Sequence, residues 1–254
     1  MTGVLAEIPT LVILFGVAVA LVAGLIKGVV GFAMPMVFIS GLTLVLPPDL
    51  SLAGLMLPTL VSNAWQALRQ GPVAAWNTIK SFKLFLICGA LALIAAAQLV
   101  STMSDRTFLL SIGIPVTLFA FIQVAGWRPR FAPNRIAEVV IGLIAGVAGG
   151  ISGIWGPPTV AYLTAINTPK LEQMRIQGVV YGMGSFLLVA AHLRSGILNA
   201  QTVPLTVLLT VPAVLGTWLG FQLQDRVDQA LFRKITIWVI LIAGVNLLRR
   251  GLFA

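Results

Sequence analysis

The sequence predicts an all-α, polytopic membrane protein made of two homologous repeats of about five hydrophobic segments each, with short or broken helices at the centre of each repeat. Three observations predict it. Only 9% of the 254 residues are charged while 59% are hydrophobic, and the mean hydropathy is +1.03. A soluble domain carries roughly 25% charged residues, so lipid must cover the outside of this chain. Long stretches free of charge recur: Leu84 to Val100, Phe108 to Trp127, Val203 to Leu223 and Ile235 to Leu248 contain no Asp, Glu, Lys or Arg. A Gly-rich octapeptide then occurs twice. Gly24-Leu25-Ile26-Lys27-Gly28-Val29-Val30-Gly31 and Gly142-Leu143-Ile144-Ala145-Gly146-Val147-Ala148-Gly149 share six of eight residues at an offset of 118.

Ten hydrophobic segments follow in order, at about 10–30, 33–46, 49–69, 79–100, 107–127, 134–150, 156–167, 170–193, 201–223 and 230–250. A spanning helix needs about 20 apolar residues, and helices satisfy their backbone polar groups internally. The period-2 alternation of an outer-membrane barrel is absent. Segments 33–46 and 156–167 are too short to span comfortably, and each is second in its set of five. Further matches keep the same order: Pro48-Asp49-Leu50 with Pro169-Lys170-Leu171, and Leu68-Arg69-Gln70-Gly71 with Leu193-Arg194-Ser195-Gly196. The expected division is a first repeat at 1–127, a basic linker at 128–135 and a second repeat at 136–254. If the short segments cross there are ten spans, and five per repeat makes the repeats inverted; if they are re-entrant, eight remain. The first segment lacks a basic n-region and reads as a retained helix rather than a signal peptide.

The net charge of +9 sits between hydrophobic segments, at Lys80, Lys83, Arg128, Arg130, Arg135, Arg233, Lys234, Arg249 and Arg250. That distribution fits the positive-inside rule and anionic headgroups, places the chain in an inner or plasma membrane, and needs no nucleic acid. One Cys and one His exclude a disulfide framework and a Cys/His metal site, and no cofactor is expected. An enzyme built on His192 and Ser195 lacks any carboxylate nearby in sequence. Every Asp and Glu falls at a segment end or in a loop, so no deep carboxylate relay is expected either. A homodimer is compatible with the sequence without being required by it.

Matched Gly-rich, Pro-broken helices in two repeats point to a transport site. Here they read Gly28 to Pro35 and Gly149 to Pro158. Half-helix N-termini at such breaks present N–H groups and a positive dipole end to an anion; close packing through small residues is the competing role of the glycines. The expected substrate-binding set is Lys27, Gly28, Gly31, Asn63, Gln66, Gly150, Ser152, Trp155, Gly156, Arg175, Gln177 and Tyr181. Lys27 lies beside the first break, where it either snorkels or faces a ligand. Arg175 is either an interfacial anchor paired with Glu172 or a bidentate clamp for an oxyanion. Loss of transport is expected on replacing either cation. Ser152, Asn63, Gln66, Gln177 and Tyr181 offer neutral hydrogen bonds, and Trp65 and Trp155 are candidate pocket walls.

These two segments, each followed by a short Pro-led hydrophobic segment, resemble the TauE/SafE sulfite exporter family. Pro47-Pro48-Asp49, the Ala53 to Asn63 stretch and Met174-Arg175-Ile176-Gln177 carry the resemblance further, over essentially the whole chain. The first break shows Phe32-Ala33-Met34 where members often have more glycines, and the second carries Trp155. The resemblance implies a secondary transporter or facilitator of a small anion such as sulfite or an organosulfonate like sulfoacetate, exporting it by alternating access. The alternative is a non-transporting membrane scaffold or assembly subunit.

Overall fold

A computed structural model describes residues 3–126, 133–166, 168–224, 226 and 229–253; the side chain of Ser152 and most of the expected linker lie outside the described residues. The chain is 83% helical, with no strand among the described residues. The helices are α1 (Thr10–Val30), α2 (Met34–Leu42), α3 (Pro48–Leu68), α4 (Pro72–Ser81), α5 (Lys83–Ala97), α6 (Asp105–Val124), α7 (Arg135–Ser152), α8 (Gly156–Ala165), α9 (Lys170–Ser195), α10 (Val203–Gln224) and α11 (Gln229–Phe253). Ten of them coincide with the ten hydrophobic segments to within a few residues. The addition is α4, whose axis turns by 81° into α5. Its mixed sequence, with Asn77, Thr78 and Lys80, hid it from a search for apolar stretches. Val73 and Trp76 are exposed, and the Lys80 ammonium lies 5.5 Å from the Trp76 ring centroid, the arrangement of an interfacial helix.

This is a multi-pass membrane protein. Thr10–Val30, Asp105–Ile122, Glu172–Ser195 and Val203–Gln224 are each long and apolar enough to cross a bilayer, and α4 with α5 makes a fifth if the bent pair is one span. Large apolar side chains such as Leu14, Leu91, Phe121, Val211 and Ile242 face outward, as a lipid-solvated surface requires and a water-solvated one does not.

Glycines set the direction of each helix against its neighbours. Gly24 lies against the Ala213 carbonyl and Gly28 against Thr217 and Gly220, so α1 and α10 run parallel. α3 runs the same way, since Thr206 on α10 donates to Gly54 O (3.2 Å) near one end and Arg69 to Gln224 Oε1 (3.0 Å) at the other. α9 runs opposite, with Gly178 beside Gln66 and Leu188 near Gly153 and Leu55. α7 runs parallel to α5, Gly142 meeting Phe85 and Gly146 meeting Gly89, while α11 is antiparallel to α6, Gly251 meeting Leu110 and Gly244 meeting Thr117. Val4 N–H donates to Gln201 O (3.2 Å) and Arg250 to Thr43 Oγ1 (2.6 Å), which puts both termini at one end of the bundle. Consequently α1 runs away from that end and α7 runs toward it. The most extensive helix pairings all join the two halves: α1 with α10, α7 with α5, α3 with α9 and α6 with α11.

Candidate functional site

Two helix breaks meet inside this bundle. α1 ends on Gly31, left-handed at φ 80°, whose N–H closes on Lys27 O at 2.6 Å. Phe32 and Ala33 follow, and α2 starts at Met34 with Pro35 in its first turn. In the second half, α7 ends on Gly153, left-handed at φ 70°, and α8 starts at Gly156 with Pro157 and Pro158. The second break therefore begins one turn later than expected, at Gly153 instead of Gly149. Gly149 and Gly150 stay helical because they are packing positions: Trp155 covers Gly149, and Gly150 sits on the Leu93 carbonyl.

Ala33 caps α2 in the left-handed region at φ 76°, alone among the described non-glycine residues. Left-handed backbone costs a residue with a Cβ about 1–2 kcal/mol, and glycine removes that cost. Ala33→Gly is expected to raise the melting temperature of the detergent-purified protein by a few degrees, and Ala33→Val to lower it. A lower temperature for Ala33→Gly would contradict strain at this cap.

The breaks line a small cavity. Phe32, Ala33, Pro35 and Met36 line it from the first break; Gly153, Ile154, Trp155 and Gly156 line it from the second; Lys27, Asn63 and Tyr181 complete it. α2 leaves the cavity toward the end that carries the termini, ending where Gly41 meets Val19. α8 leaves in the opposite direction, toward Phe85 near the start of α5, on which Tyr162 stacks at 6.2 Å. The two half-helix N-termini thus face each other across the cavity. First-turn N–H groups of a helix have no intrahelical partner. Prolines remove three of them, and those of Met34, Met36 and Gly156 remain.

Lys27 is 1% exposed. It does not snorkel to an interface. Its ammonium donates to Asn63 Oδ1 and to Gln66 Oε1 (2.8 Å), and lies 5.9 Å from the Tyr181 ring centroid. Both amides are pinned from behind: Asn63 Nδ2 donates to Tyr181 O and Ser185 Oγ, each at 3.1 Å, and Gln66 Nε2 to Met174 O at 3.2 Å. Asn63 and Gln66, three residues apart on α3, present one face to α1. No carboxylate pairs with Lys27 among the described residues; the one ion pair there is Arg175 with Glu172, at 3.7 Å.

The structure thus gathers Lys27, Asn63, Gln66, Trp155, Gly156 and Tyr181, whose hydroxyl reaches Gly156 O at 3.5 Å. Gly31 and Gln177 lie just behind: Gln177 is buried, its Oε1 has no hydrogen-bond partner, and it crowds the α carbon of Gly31. Three of the expected residues lie elsewhere. Gly28 packs on α10 and Gly150 on α5. Arg175 does not line the cavity; its Nε donates to Thr78 Oγ1 (3.0 Å) and its NH1 to Gln70 Oε1 (3.3 Å), at the junction with α4. Trp65 packs edge-on to Phe221 with centroids 5.3 Å apart, outside the cavity. His192, expected near an interface, is fully buried, with Nε2 against Gly150 O (3.1 Å) and Nδ1 against Ser195 Oγ (3.0 Å), tying α9 to α7. Sequence reasoning missed Met36 and Ile154 in the lining, since apolar residues in an apolar chain carry no distinguishing signal.

Comparison with protein-family models matches residues 16–247 to the family described as "Sulfite exporter TauE/SafE". Comparisons with curated proteins and with solved structures find no match.

Proposed function

The chain belongs to the TauE/SafE sulfite exporter family, and from that premise we propose that it is a secondary transporter or facilitator that carries sulfite or an organosulfonate such as sulfoacetate out of the cell. The family consists of membrane transporters of sulfite and related anions, not enzymes. One observation carries the reading to this chain: the buried Lys27 ammonium has neutral partners only and sits between two converging half-helix N-termini. A buried cation is stable when it is paired, and here an anion in the cavity supplies the pair. Electrostatics worth little in water act strongly at such a buried site. The small cavity favours a compact anion.

The helix directions support alternating access around this site. Helices α1 and α7 run oppositely and each packs on the other half, the relation inverted repeats would produce, with the binding site at their shared centre. Basic residues support an orientation. Arg69, Lys80, Lys83 and Arg135 lie at the end opposite the termini, which we place in the cytoplasm by the positive-inside rule, in an inner or plasma membrane.

The test is flux of labelled sulfite and sulfoacetate into liposomes containing the purified protein. Saturable, protein-dependent uptake is expected; a non-transporting scaffold would show none. Because Arg175 is held by Glu172, Thr78 and Gln70, Arg175→Ala is expected to keep flux within about twofold of wild type, in line with the small worth of a part-exposed ion pair. A collapse of flux in that variant would move the anion site toward α4.

A further inference from the structure

Lys27 is the one charged side chain in the cavity lining. The groups around it come from α3, α9, α10, α2 and the two breaks. α3 presents the neutral amides of Asn63 and Gln66, and α9 presents the Tyr181 ring. α10 presents Thr217 and Gly220 to the adjacent Gly28. The breaks and α2 present Phe32, Ala33, Met36, Ile154 and Trp155. Tyr181 is the sole titratable group among these, and none carries a negative charge. An ammonium left alone here, with the anion gone, would cross the membrane interior uncompensated, which is costly.

The amides around Lys27 accommodate two protonation states equally. Backbone carbonyls can only accept hydrogen bonds, so Tyr181 O and Met174 O hold the NH2 groups of Asn63 and Gln66 away and aim both amide oxygens at Nζ. A lysine ammonium has three N–H groups, and a lysine amine has two and a lone pair. Two N–H groups satisfy Asn63 and Gln66 in either form. Only the third position changes, an N–H in one form and a lone pair in the other, and it is left for the cavity. A guanidinium could not do this, because it does not give up its proton in proteins.

We propose that Lys27 gains a proton as the anion binds and loses it as the anion leaves, so that a monovalent anion and a proton cross together. This rests on the anion-transport reading above and adds the coupling to it. On the entry side a proton from water forms the third N–H bond as the anion enters. On the exit side that bond breaks, the proton returns to water and the anion departs. The loaded site is neutral as a pair and the empty site is neutral as an amine, so neither passage moves net charge.

The experiment uses the full chain in liposomes with an entrapped pH dye and a potassium–valinomycin clamp on the membrane potential. Methanesulfonate is the probe, because it is fully ionised at the working pH and cannot carry the proton itself. An inward methanesulfonate gradient is expected to acidify the lumen by about one proton per anion, at a rate that an imposed potential does not change. Sulfite, followed as labelled uptake, is expected to show the same indifference to potential. Lys27→Arg is expected to lose the acidification, because a guanidinium keeps its proton; acidification at the wild-type rate in that variant overturns the proposal. So does wild-type anion uptake without acidification that accelerates when the lumen is made positive, a result that leaves anion transport standing. No uptake of either anion overturns the coupling and the transport reading together.

Discussion

Lys27→Met is expected to reduce anion flux by at least about 100-fold while leaving the protein folded. Removing one member of a buried ion pair costs about 3–5 kcal/mol, and each 1.4 kcal/mol is tenfold in affinity, so the bound anion loses two to three orders of magnitude. Stability responds differently. Methionine fills a similar volume and removes the desolvation cost of the buried Lys27 amino group, which has no carboxylate partner among the described residues. Against that gain, Asn63 Oδ1 and Gln66 Oε1 lose their donor, at about 1–3 kcal/mol for each buried group left unsatisfied. These effects oppose one another, so the melting temperature of the apo protein moves little. What disappears is its rise on adding sulfite, because a ligand bound only by the native state stabilises it by mass action. Near-normal flux in folded Lys27→Met protein would remove Lys27 from the site altogether, and the coupling proposal with it.

How far this site was legible depends on what each residue signals against an apolar background. Lys27, Asn63, Gln66 and Tyr181 stand out because polar atoms inside hydrophobic segments need partners, and sequence alone reveals the need. It does not reveal the partner. Lys27 meets Asn63 and Gln66, 36 and 39 residues away, only because the packing of α1, α3 and α9 brings them together. Glycines are more ambiguous still. Gly31 and Gly153 end helices in the left-handed region, whereas Gly28 and Gly150 let helix backbones touch, and all four look alike in a Gly-rich run. That ambiguity moved the second break by a turn and placed two packing glycines among the expected binding residues. Arg175 was readable both as anchor and as clamp; Thr78, on a helix that hydropathy did not register, is part of what holds it away from the cavity. Helix positions were legible almost throughout, since a lipid-facing helix must be apolar along its length, while an interfacial helix such as α4 need be apolar on one side only.

Gly220→Val is expected to damage the α1–α10 interface strongly, lowering stability by about 3 kcal/mol as an overpacked contact does. A Cβ at Gly220 would lie 2.7 Å from Gly28 Cα and 2.9 Å from Val29 N. Those are backbone atoms of α1, and no rotamer change moves them aside. Gly24 and Gly28 on α1 oppose Gly216 and Gly220 on α10 at matching four-residue spacing, the small-residue seam that lets membrane helices approach closely. Valine would force the two helices apart along this seam and forfeit contacts on both. For a chain of this length 1 kcal/mol corresponds to roughly 2–4 °C, so the melting temperature in detergent should fall by about 6–12 °C. Gly182→Ala is the control. It is another glycine in a buried helix pairing, yet its added Cβ would meet Ala67 Cβ at an ordinary 3.7 Å, and its melting temperature should stay within about 2 °C of wild type. Flux should fall in Gly220→Val even where folded protein is recovered, because Lys27 precedes Gly28 on the same helix and its ammonium moves when α1 does. Equal melting of the valine variant and the control would mean that α1 does not meet α10 through these glycines, and that this seam does not hold Lys27 between the two breaks.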